Sequence, residues 1–198
     1  MLSVKRILAA IAVLISSILS AGVCRAGQDK PFVFTGVEYL TGFGYNDLRQ
    51  NQGIYNVVPF FLDFDFDIKP LADKLNIHTP GLLQFVEEPF LNYTSRPNNN
   101  VEIGNNIAIK FGLLPETSKF QPYIKAGGGI IYITQHVLGQ STQFNFNEYA
   151  GLGCHCFVSE NTALTAEYRF RHISNASIEH PNSGMNTHFA LFGVFYQF

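Results

Sequence analysis

Apolar and polar positions alternate with a period of two through most of the chain. From Val58, one side of an extended segment collects Val58, Phe60, Leu62, Phe64 and Phe66. The other collects Pro59, Phe61, Asp63, Asp65 and Asp67. From Val101, the row Val101, Ile103, Asn105, Ile107, Ile109 and Phe111 opposes Glu102, Gly104, Asn106, Ala108, Lys110 and Gly112. Further on, Leu164, Ala166, Tyr168 and Phe170 oppose Thr165, Glu167, Arg169 and Arg171. Successive side chains of a strand point to opposite faces, so each segment predicts a strand with one apolar and one polar or small face. Eight such segments are expected, at 32–45, 54–67, 82–96, 99–113, 120–135, 143–158, 162–172 and 185–198. Turn formers separate them, among them Gly53, Pro80-Gly81, Arg96-Pro97-Asn98, Pro115, Gly139 and Ser159-Glu160-Asn161. Between residues 69 and 80, Leu71 and Leu75 have the spacing of a short helix with a thin apolar stripe.

The segments are long enough to decide an architecture. A tilted strand crosses a bilayer in about ten residues, and an even number of antiparallel strands closes with no free edge. After residue 26 there is no apolar run of membrane-helix length. Alternation by itself is equally compatible with a soluble β-sandwich or a lipocalin-like barrel, in which the apolar face points inward. The second face separates the two. Asp63, Asp65, Glu102, Lys110, Glu167, Arg169 and Arg171, interleaved with Gly127 and Gly129, suit the packed, ion-paired lumen of a small membrane barrel. The expected fold is therefore an all-β, eight-stranded antiparallel transmembrane β-barrel, too narrow inside to be a porin. The last segment ends in Phe192, Val194, Tyr196 and Phe198 on one face, similar to the terminal strand of bacterial outer-membrane barrels.

Composition narrows the setting. The 198 residues are 46% hydrophobic and only 14% charged, against about 25% charged in ordinary soluble domains. The net charge of −2 offers nucleic acid no basic surface. Lys5 and Arg6 precede an apolar run that is too short for a membrane anchor, and Cys24-Arg25-Ala26 sets small residues at −3 and −1 of a cleavage site. Residues 1–26 are expected to be a secretory signal peptide and 27–198 the barrel. Val23 is bulky where a lipidation signal wants a small residue, which disfavours acylation of Cys24. Removing the signal takes the net charge from −2 to −5 and leaves Cys154 and Cys156. Two apart on a strand, these share a face, do not readily bridge and lack metal-ligand spacing.

The apolar row of residues 164–170 continues by parity to His172 and Ser174. In the last strand, Phe192, Ala190 and His188 lead back to Asn186. Three polar residues are thus expected on the lipid-facing side, at the outer ends of neighbouring strands. Polar groups facing hydrocarbon are costly, less so near the headgroups. A histidine and a serine two apart can act as general base and nucleophile, a third polar group holding the imidazole. Asn175, Asn182 and the backbone near Gly184 offer N–H donors for an oxyanion. The bland reading of the same residues is a polar interface with a hydrophilic loop.

His172-Ile-Ser174-Asn175-Ala176, followed by Pro181-Asn182-Ser183-Gly184, resembles the active-site motif of the lipid A 3-O-deacylase (PagL-type) family. Length, export signal, strand count and terminal Phe198 agree. The resemblance implies an eight-stranded outer-membrane barrel with a Ser/His/acid site on its outer wall, acting on the ester-linked 3-hydroxyacyl chain of lipopolysaccharide. It implies His172 as base, Ser174 as nucleophile and Asn182 as oxyanion-hole asparagine. Asn175, grouped with Asn182 as an oxyanion or substrate-binding candidate, matches a motif residue of supporting role. The family carries a glutamate fourteen positions after the histidine, where this chain has Asn186. Three readings follow: Asn186 serves at lower activity, Glu179 or His188 assists, or hydrolysis has been lost. The implied partners are lipid A and outer-membrane lipid, with no cofactor and no metal; a homodimer is left open. The alternative class is a non-catalytic barrel acting through its outer loops, at 46–53 and 135–143.

Overall fold

A computed structural model describes residues 31–48 and 53–198. The expected signal peptide and part of the 46–53 loop lie outside the described residues. The strands are β1 (Val33–Leu48), β2 (Gly53–Val58), β3 (Phe60–Asp67), β4 (Leu83–Arg96), β5 (Asn100–Gly112), β6 (Phe120–Ile133), β7 (Phe144–Phe157), β8 (Thr162–Ser174) and β9 (Met185–Gln197). The one helix among the described residues, α1 (Lys69–Lys74), falls in the expected stretch, with Pro70 in its first turn.

Each strand pairs antiparallel with its neighbour, and β1 also pairs with β9, which closes the sheet. The nine strands make eight staves, because β2 and β3 both lie between β1 and β4. The expected segment 54–67 is broken at Pro59, whose nitrogen has no hydrogen to donate to the ladder. Side chains repair the gap. The Thr41 hydroxyl donates to the Pro59 carbonyl (2.8 Å), and Asn92 Oδ1 accepts the Phe60 amide (3.3 Å). The expected strand 162–172 runs two residues further, to Ser174.

Apolar side chains face outward. Tyr39, Phe43, Leu91, Ile107, Ile124, Leu152, Leu164, Phe192 and Val194 are all exposed, while Glu38, Asp63, Glu88, Glu102, Lys110, Lys125 and Arg169 are fully buried. Such an inversion is stable only where hydrocarbon covers the outer belt.

The lumen is a fixed ionic lattice. Arg169 grips both oxygens of Glu88 at 2.7 Å and bonds Glu167 at 2.7 Å, between the rings of Phe61 and Tyr149. Arg171 grips Glu102 at 2.8 and 2.9 Å and lies over Phe189. Lys110 bridges Glu38 and Asp65, and Lys125 bridges Asp63 and Glu88. Bidentate arginine pairs hold both partners in one geometry. Tyr55, Val57, Phe61, Phe90, Ile131, Phe189 and others form an apolar cluster in the same interior. This inward apolar cluster was not expected from the polar-face reading. It shares the interior with the charged rows.

Cys154 and Cys156 are free thiols on the outer face with sulfurs 3.7 Å apart, well beyond the ~2.05 Å of a disulfide.

Candidate active site

The chain reverses between β8 and β9 through residues 175–184, and the hairpin register sets His172 directly opposite Asn186. Because Arg169 and Arg171 occupy the inward positions of β8, the outward row runs Tyr168, Phe170, His172, Ser174. His172 Nδ1 lies 2.6 Å from Asn186 Oδ1. With the amide oxygen as acceptor, Nδ1 carries the proton and Nε2 keeps its lone pair, the tautomer a general base requires. A carboxylate could only accept here, whereas an amide can also turn its NH2 toward the ring, so Asn186 permits this tautomer without enforcing it.

Gly184 finishes the pocket around the ring. Its φ of +69° is a left-handed conformation natural to glycine, and a Cβ there would stand 2.6 Å from His172 Cε1 and 3.1 Å from Nε2. A side chain at this position would thus crowd the Cε1–Nε2 edge of the imidazole, which glycine leaves free.

Ser174 is the last residue of β8, opposite Phe146 on β7. Among the described residues no hydrogen bond joins its hydroxyl to the imidazole. Two residues along one strand face are separated by about 6.5–7 Å at the backbone, and a hydroxyl–imidazole bond at such a site commonly tightens only when substrate is bound. The structure therefore unites His172 with Asn186 and holds Ser174 beside them on the same outward face.

The two oxyanion candidates part company. Asn175 is fully buried, and its NH2 donates to the Glu179 carbonyl (2.7 Å) and the Ser141 hydroxyl (3.1 Å). Both amide hydrogens are spent on the loop, so the side chain is a staple and has none left for a substrate oxygen. Asn182 accepts the Asn175 backbone N–H through Oδ1 at 3.0 Å, which leaves its NH2 free to turn outward. The loop is further zipped to the β6–β7 loop by Ser141 N–H to the Pro181 carbonyl (2.9 Å) and Ser183 N–H to the Gly139 carbonyl (2.7 Å). Ala176 and Ser177 sit at φ of 52° and 62°, strain of the kind that a surrounding bond network must hold in place.

Among the described residues neither assistant suggested for Asn186 hydrogen-bonds the imidazole. His188 Nδ1 is 2.7 Å from the Tyr168 hydroxyl, and Glu179 contributes a carbonyl to the Asn175 staple. A carboxylate that sequence reasoning passed over does flank the histidine: Glu148 on β7 is its register partner on the other side. Only the β7–β8 register reveals this, since the residues lie far apart in sequence. Among the described residues, no group of three or more His, Cys, Asp or Glu side chains is arranged to hold a metal ion.

Comparison with known proteins places the fold and the family. The chain is similar in structure to the outer membrane enzyme PagL, with a TM-score of 0.57 at 18% identity over 80% of this chain and 97% of that one. It is similar also to Neisserial surface protein A, with a TM-score of 0.57 at 14% identity over 85% and 98%. At these identities the likeness concerns the fold. No curated protein matches. The family described as Lipid A 3-O-deacylase (PagL) matches residues 60–195, a span that includes every residue of the cluster just described. The chain belongs to the PagL family of lipid A 3-O-deacylases.

Proposed function

We propose that this protein is an outer-membrane esterase that removes the ester-linked 3-hydroxyacyl chain of lipid A. The observation that carries the reading is the bonded pair His172 and Asn186 on the lipid-facing wall, with Ser174 next on the same face. A site on the outer wall takes its substrate by lateral diffusion in the leaflet and needs no open lumen. With the chain exported and its amino-terminal end in the periplasm, odd-numbered staves run outward, and the 175–184 loop lies at the cell surface with lipopolysaccharide.

The Ser174 hydroxyl attacks the ester carbonyl while Nε2 of His172 takes its proton. The Asn182 NH2 and loop backbone N–H groups receive the oxyanion. Collapse of the tetrahedral intermediate breaks the bond to the sugar oxygen, which leaves as a hydroxyl with the proton from the imidazolium. Water, activated by the same nitrogen, then releases the hydroxy fatty acid from Ser174.

Mass spectrometry of lipid A from cells with and without the protein tests this. Expression should remove one hydroxyacyl chain, and Ser174→Ala and His172→Ala should each lower the rate by about 10³-fold or more with the barrel still folded. A second reading, a barrel of this family without hydrolysis, is favoured by the amide at Asn186 and the unjoined Ser174 hydroxyl. It expects unchanged lipid A from well-folded protein.

A further inference from the structure

The position where the family holds an acid is filled by a neutral amide, which orients the imidazole but does not offset its charge once Nε2 is protonated. The structure offers a carboxylate on the opposite flank. The β7–β8 register pairs Glu148 with His172, just as the β8–β9 register pairs His172 with Asn186. Directly opposed side chains on one sheet face have Cβ atoms roughly 4.5–5.5 Å apart. The outward row of β7 is otherwise apolar through this stretch, with Phe146 above Glu148 and Ala150 and Leu152 below. Among the described residues, Glu148 makes no hydrogen bond or ion pair. An unpaired carboxylate on a lipid-facing wall is costly, and its neighbour is the one side chain of the site that gains positive charge during the reaction.

We propose that Glu148 is the charge-compensating partner of His172, so that the two tasks of the family's single acid are divided: Asn186 orients the ring from β9, and Glu148 stabilises the imidazolium from β7. Glu148 acts through the histidine and is a positioning residue. This inference rests on the esterase reading for its catalytic meaning, while the pairing itself is measurable without turnover. The other titratable groups near the ring are His188, which the Tyr168 hydroxyl engages, and Glu179 and His180, exposed on the loop. Gly184 places no side chain against the Cε1–Nε2 edge of the ring.

The test uses the full-length barrel refolded in detergent with lipopolysaccharide as substrate, and the titration of the His172 ring followed by NMR. Glu148→Gln should lower kcat about tenfold with little change in KM. It should also move the His172 titration toward lower pH by roughly one unit, since a tenfold effect and one unit are the same free energy. Glu148→Asp should keep most of the activity. Asn186→Glu should restore Glu148→Gln toward the parent rate and add much less to the parent, because the charge is already supplied there. Unchanged kcat and unchanged titration in folded Glu148→Gln overturn the proposal, as does equal gain from Asn186→Glu in both backgrounds. If the parent leaves lipid A intact while the His172 titration still responds to Glu148→Gln, the pairing stands and the esterase reading falls.

Discussion

At the scale of single residues the site is built from small allowances. Nδ1 of His172 is held by an amide, and the Cε1–Nε2 edge of its ring is given room by a residue without a side chain. Gly184→Ala would meet both a left-handed backbone angle and the imidazole itself. It should cost about 1–2 kcal/mol in stability and lower deacylation at least tenfold, measured together by urea unfolding and lipid A hydrolysis. A variant with full activity would show that the ring has room to spare. The outward row shared by His172, Ser174 and Asn186 was legible in the sequence because parity counts reliably along a strand. The division of labour between Asn175 and Asn182 was not. Two asparagines in one loop look alike until hydrogen bonds show which has spent its donors.

At the scale of elements, each strand is a two-faced object, and the faces answer to different solvents. Leu152 sits on the outward row of β7, strongly exposed at 61%. Leu152→Arg should destabilise by about 2–4 kcal/mol if that position lies near the midplane, and by less than about 1 kcal/mol if it lies near an interface. Folding titrations into lipid vesicles would read this, and no loss at all would contradict a hydrocarbon-facing wall. The eight segments, their order and the breakers between them were readable from period-two alternation. The break at Pro59 was readable in principle from the proline, yet its repair by Thr41 and Asn92 was not, since both partners come from other strands.

At the scale of the whole molecule, closure of β1 on β9 turns a row of alternating charges into a sealed lattice. Among its cations Arg169 makes the most hydrogen bonds, satisfying Glu88 and Glu167 at once. Arg169→Met should leave two buried carboxylates short of their partner and cost on the order of 3–5 kcal/mol, seen as a lower urea midpoint. An unchanged midpoint would mean that the lattice rearranges around the loss. The same closure separates the candidate site from the packing: His172, Ser174 and Asn186 lie on the outer face, and the ionic groups that hold the shape lie within.

The sequence by itself determined the eight staves, the two faces and the row on which His172, Ser174 and Asn186 stand, because side-chain direction in a strand follows from position alone. Which face looks outward was only suggested by charge, and the closed barrel decides it by burying the ions. Register was beyond the sequence altogether. It sets Asn186 and Glu148 on opposite flanks of His172 through hydrogen bonds between strands, and those depend on how the whole sheet closes.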